Sequence, residues 1–262
     1  MSTRSSEELI EMAKLAEQCE RYEEMRAMMK QVIENGVELT TEIITMLSIS
    51  YRRKSTALRK SRNKIIAIEK KTRKSEHKLI LAMQYREEIQ AELHKICNEV
   101  ILLLDKYLIP KIVDMESKVM LLKMKADYSC YLAEIATGDE KKNIKYYPGQ
   151  VYKKGYEMAV SSAKMPPTHP LRLAIALNWS TYYYSVLGNR KKAQLLAQRV
   201  LDDATLELHK VPKNVVQKTI DVMKIIWDNI VIWDKQANRG ASLEHKNADL
   251  LQQGEPQPSA EK

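Results

Sequence analysis

The stretch LSISYRRKSTALRKSRN, residues 47 to 63, decides the fold class, because its pattern resolves at helical spacing. At 3.6 residues per turn Leu47, Tyr51, Leu58 and Ile65 share an apolar stripe, while Arg52, Thr56, Arg59 and Asn63 share a second stripe beside it. One edge packs and the next stays basic. Such a helix fits the wall of a groove that shows planar guanidinium donors to phosphate or carboxylate oxygens. It equally fits a solvated charged face on a long helix, and the stretch alone does not choose between the two.

Working outward, glycine and proline are few and nearly all of them punctuate: Gly36, Pro110, Gly138, Pro148-Gly149, Pro166-Pro167, Gly188 and Pro212 separate segments of helical periodicity. The segments run 5–20, 22–35, 40–73, 75–108, 115–137, 150–164, 169–187, 191–208 and 212–235. Gly155 alone falls inside a segment, at a cost of about 1 kcal/mol against alanine. No alternating run of β-branched and aromatic residues marks a strand, and the chain contains no Phe. The reading is all-α, nine antiparallel helices joined by short connections. A 34-residue tetratricopeptide period is absent. Residues 1–235 form the helical domain. The polar, Gly- and Pro-containing segment 236–262 carries too little apolar surface to offset its ordering entropy and reads as a disordered tail.

Of the 43 basic and 34 acidic residues, 40 and 30 lie in 1–235, so the excess charge belongs to the folded part and attracts anions of any kind. The longest apolar cluster, Val100 to Leu104, is far shorter than the roughly 18 residues of a membrane span. The N-terminal MSTRSSEELIEMAKLAEQ has no apolar core or cleavage site, and the chain reads as mature and cytoplasmic. Cys19, Cys97 and Cys130 are far apart without a CxxC, and the histidines form no HExxH, so no metal or other cofactor is expected. Neither a glycine-rich phosphate loop nor GxSxG occurs, and nothing points to an enzyme.

The segments KLAEQCERYEEM (14–25), YREEIQAELHKICNEVILLLDKYLIP (85–110), ESKVMLLKMKADYSCYLAEIATGDEKK (116–142), PTHPLRLAIALNWSTYYYSVL (167–187) and DNIVIW (228–233) resemble the 14-3-3 proteins. The likeness spans 5–235. It implies a dimer of nine-helix protomers, each with a concave groove for phosphoserine or phosphothreonine segments of partner proteins. The resemblance assigns phosphate binding to Arg52, Arg59 and Tyr131. Arg52 stands where the family usually has Lys, and Cys130 where it has Arg, which reduces a three-cation clamp to two. Lys123, Asp127, Cys130, Tyr131 and Glu134 share one helix face, so Asp127 and Glu134 are positioned to orient the arginines. A thiol beside these cations is either acidified and oxidisable or a quiet structural cysteine.

The same resemblance assigns the peptide groove to Lys123, Leu177, Asn178, Val222, Ile225, Asn229 and Trp233. Here the two asparagines hold the peptide main chain and the apolar residues face its side chains. Thr181, Ser185 and Asp221 depart from the family's usual Val, Glu and Leu. The dimer interface is assigned to Leu15, Cys19, Arg21, Ser61, Tyr85 and Glu92, with Arg21 and Glu92 as an intersubunit ion pair. The resemblance places Glu24 opposite Glu88 where the family has a lysine, a change that either weakens self-association or favours a different paralogue as partner. The leading function is a phosphopeptide-binding adaptor, weakened at Cys130. The alternative is a dimerising structural or regulatory paralogue with little phosphopeptide binding. Nucleic acid is disfavoured, because the basic residues lack the interleaved aromatics that stack on bases.

Overall fold

In the computed structural model the described residues are 4–72 and 75–252, with side chains described as far as Ala237. The chain divides into two compact units, residues 1–166 and 167–262. The first holds α1 (Ser6–Gln18), α2 (Tyr22–Glu34), α3 (Thr41–Thr72), α4 (Glu76–Leu103), α5 (Met115–Ile135), α6 (Gly138–Ile144) and α7 (Tyr147–Ser161). The second holds α8 (Pro170–Ser185), α9 (Arg190–Glu207) and α10 (Lys213–Gln252). The nine expected helices are all present and no strand occurs among the described residues. Three details differ. Gly138–Ile144 forms a short additional helix, α4 ends in a π-helical turn at Leu104–Leu108, and the backbone of α10 stays helical past Lys235 to Gln252. Residues 253–262 of the expected tail lie outside the described residues.

Local chemistry sets the helix starts. Ser5 accepts from the Glu8 amide at 3.2 Å while Glu8 accepts from the Ser5 amide at 2.8 Å, a reciprocal cap on α1. Asp114 accepts from the Ser117 amide to start α5, and Asn189 from the Lys192 amide to start α9. Gly36 and Gly188, after α2 and α8, have φ of 77° and 63°, the left-handed conformation that a glycine adopts without a Cβ penalty.

In the first unit α3 packs against α2 and α4, and α5 against α4 and α7. The core runs through Met25, Met29, Leu47, Tyr51, Leu93, Leu104 and Leu121, all essentially inaccessible. A charged cluster ties three of these helices together. Glu99 of α4 accepts from the Tyr51 hydroxyl of α3 at 2.7 Å, from Lys30 Nζ of α2 at 2.9 Å, and pairs with Arg26 of α2. Burial opposes charge on Glu99, but these donors outweigh it and hold its carboxyl below the ordinary value.

In the second unit α8, α9 and α10 pack on one another. Leu173, Ile175, Ala197, Val200 and Ile226 fill the interior. The Thr219 hydroxyl donates to the Thr168 carbonyl at 2.9 Å, which anchors the start of α10 to the segment before α8.

Candidate functional site

The site begins on the exposed edge of α3. Its apolar stripe is buried at Leu47, Tyr51, Leu58 and Ile65, as the sequence pattern requires, which leaves Arg52 exposed and Arg59 half-buried on the adjacent stripe. Arg59 Nη2 donates to both carboxylate oxygens of Glu134 on α5 at 3.0 Å. Its Cζ lies 4.0 Å from the centroid of the Tyr131 ring, one turn earlier on α5. An ion pair and an aromatic face thus fix the guanidinium, while Nη1 and Nε have no hydrogen-bond partner among the described residues. Tyr131 is itself braced edge-on by Tyr128, with ring centroids 5.5 Å apart.

Electrostatics keep the donors donating. Burial alone would lower the Arg59 pKa, but Glu134 and Tyr131 raise it above the ordinary value, so the cation is permanent. Burial, reinforced by Asp127, pushes the Tyr131 hydroxyl upward, so it stays protonated and available as a donor. Lys123 donates to Asp127 at 2.7 Å, and the buried Tyr152 of α7 donates to the other oxygen of that carboxylate at 2.6 Å. Glu134 therefore orients an arginine as expected, and Asp127 is engaged by Lys123 and Tyr152.

Cys130 decides between the two alternatives that its sequence position left open. The residue is only 6% exposed, and burial first, then Glu134 and Asp127, drive its thiol pKa up despite the opposing pull of Arg59. It is a neutral, quiet thiol, and the acidified alternative is set aside. Two residues near the site were not singled out from sequence. Tyr152 has just been described. Arg62 donates from Nε to Gln90 at 3.1 Å and from Nη2 to the Glu134 carbonyl at 3.4 Å. Burial lowers its pKa, and the neighbouring Arg86 and Arg59 act in the same direction. No local pattern announces either contact.

In the second unit Asn178 of α8 is half-buried and has a polar partner, and Asn229 of α10 donates to the Thr181 hydroxyl at 3.4 Å. Leu177 and Val222 are half-buried and Ile225 is exposed, so each offers apolar surface. Trp233 differs from the expectation of a surface contact. It is buried, and its ring stacks on Tyr184 with centroids 4.9 Å apart, as part of the packing of α8 against α10. A cavity of about 580 Å³ opens between α9 and α10, lined by Leu201, Met223 and Trp227 among others, and includes none of the residues singled out from sequence.

The family model for the 14-3-3 protein matches residues 12–234. The chain belongs to the 14-3-3 family. It is similar to 14-3-3 protein beta/alpha of Bos taurus and of Homo sapiens, 42% identical over 247 residues that cover 94% of this chain and all of each relative. It is also similar to 14-3-3 protein zeta of Bombyx mori, 45% identical over 227 residues, 87% of this chain and 91% of that relative.

The residues assigned to a 14-3-3 dimer face lie at the surface of the first unit. Leu15 is 60% and Tyr85 57% exposed, and Cys19, Arg21, Ser61 and Glu92 are exposed as well. Within the protomer Arg21 pairs with Glu24, and Lys54 pairs with Glu92 at 2.6 Å and with Glu23 at 3.4 Å. An Arg21–Glu92 pair between subunits of this 14-3-3 chain therefore requires an exchange of partners. Arg21 also offsets part of the charge of Glu24 within the protomer.

Proposed function

We propose that this 14-3-3 chain is a cytoplasmic, non-catalytic adaptor that binds phosphoserine or phosphothreonine segments of partner proteins, as a homodimer or with another family member. The observation that carries the proposal is Arg59, held by Glu134 and Tyr131 with two donor groups to spare, beside an exposed Arg52 on the same stripe. A phosphate takes its oxygens to those spare donors and to the Tyr131 hydroxyl, while Arg52 adds charge. Asn178 and Asn229 serve the peptide main chain, and Lys123, Leu177, Val222 and Ile225 its side chains. Trp233 contributes through packing.

Cys130 limits the affinity. A buried neutral thiol supplies no charge where the family carries an arginine, which also favours the second reading, a dimerising paralogue that reads phosphate poorly. A fluorescence titration with one peptide in phosphorylated and unphosphorylated forms, repeated with a DNA duplex at several salt concentrations, separates these readings. The adaptor binds the phosphorylated form selectively. Equal affinity for both forms supports the paralogue, and steep salt-dependent duplex binding overturns both.

A further inference from the structure

Between Glu42 and Glu69 the helix α3 carries seven Lys or Arg and no acidic residue. Some of that charge is committed: Arg59 to Glu134, Lys54 to Glu92 and Glu23, Arg62 to Gln90. The remainder is not. At about 100° per residue Arg53, Lys60 and Lys64, together with Lys71 beyond Glu69, fall within roughly 20° of a single line along the helix. All four are exposed. Arg53 rests over the Tyr22 ring, 5.4 Å from its centroid, and borders Glu20, Glu23 and Glu24. Lys60, Lys64 and Lys71 have no carboxylate partner among the described residues.

The position of this line gives it a use. Arg52 and Arg59 lie roughly 100–120° around α3 on one side of it, and Ser61, assigned to the dimer face, roughly 80° around on the other. A chain leaving the phosphate donors across the open side of α3 crosses the lysines. We propose that they bind an acidic run in the partner polypeptide, next to its phosphorylated residue. Along the axis Lys60 and Lys64 are about 6 Å apart, and Lys64 and Lys71 about 10.5 Å. An extended peptide advances about 3.3 Å per residue, so carboxylates two and three residues apart meet both spacings. A single row of cations without an exposed aromatic suits such a strand better than it suits stacked bases or a flat lipid surface.

The inference rests on the phosphate reading for where the run lies, and a two-by-two set of peptides keeps the two claims apart. One peptide is made with and without phosphate, and with and without Asp or Glu at the matching spacing. Each is titrated against the native protein, against Lys60→Gln/Lys64→Gln/Lys71→Gln, and against the corresponding triple Arg variant. Each exposed ion pair changes affinity by roughly two- to threefold, so the acidic run tightens binding about tenfold in low salt. That gain disappears in the Gln variant, returns in the Arg variant and shrinks in 0.5 M salt. The phosphate effect is unchanged in all three proteins. If phosphate has no effect, the phosphate reading fails while the acidic comparison still reports on the lysines. An acidic run without effect overturns the inference, as does a gain that survives in the Gln variant. So does tighter lysine-dependent binding of a DNA duplex or an anionic vesicle at the same salt.

Discussion

Two carboxylates, Glu99 and Glu134, each gather cationic and phenolic groups against α3, and they do different things. Glu99 and Arg26 are 15% and 14% exposed, and Glu99 takes three partners from α2 and α3. Glu134 and Arg59 are 25% and 37% exposed, and Arg59 keeps donors in hand. Burial makes the first a clamp, since Glu99 is engaged three ways and Arg26 Nε, although it has no hydrogen-bond partner among the described residues, is enclosed away from any ligand. Partial exposure and spare donors suit the second to the recognition proposed for it, because the carboxylate fixes the guanidinium without exhausting it.

The comparison breaks most visibly at the clamp. Glu99→Ala leaves Arg26 and Lys30 without their shared carboxylate, and removing one member of a buried pair costs about 3–5 kcal/mol. The urea midpoint should fall accordingly, with phosphopeptide affinity unchanged in the protein that remains folded. The clamp also carries a pH signature. The native pKa of Glu99 is depressed below its ordinary 4.5, so its stabilisation is fully present above the unfolded value and is lost as pH falls through the native one. Below about pH 4.5 the native protein should lose stability more steeply than Glu99→Gln, measured by urea titration at pH 7, 4.5 and 3.5. Parallel slopes would contradict the assignment.

At the recognition site Arg59→Ala removes a charge-assisted donor worth roughly 1.5–3 kcal/mol, or about 10- to 150-fold in phosphopeptide affinity. Cys130→Arg sharpens the same site. The new side chain arises beside Glu134 and Asp127, whose charges already bear on position 130. It should tighten phosphorylated peptides about tenfold while leaving unphosphorylated ones almost unchanged, as read by fluorescence anisotropy. The smallest effect is at the dimer face. In the proposed dimer Glu88→Lys replaces a like-charge pairing with Glu24 by an opposite one, and because Arg21 already offsets Glu24, homodimer affinity should rise by no more than about fivefold in sedimentation.

The contrast also explains what was legible in the sequence. Helical spacing with Gly and Pro punctuation locates all nine long helices, because each has an apolar face to bury. Gly138–Ile144, GDEKKNI, has no such face and leaves no periodic trace. Pro110 announces the end of α4, but not that its last turn winds as a π turn. The last helix thins in apolar residues after Trp233, so the pattern stops while the backbone continues. The arrangement of the candidate site was largely legible, since Arg52 and Arg59 lie on one stripe and Tyr131 and Glu134 on another. The clamp was not. Glu99 meets residues 48, 69 and 73 positions away, and Tyr152 meets Asp127 from 25 away, contacts that only tertiary packing creates.

The most direct measurement is the ratio of dissociation constants for one peptide without and with its phosphate, taken on the native protein and on Arg59→Ala in the same buffer, with melting temperatures recorded alongside. The account predicts a ratio well above one for the native protein, falling toward one in Arg59→Ala, with the melting temperature far less affected than by Glu99→Ala. A ratio that is the same in both proteins would contradict it.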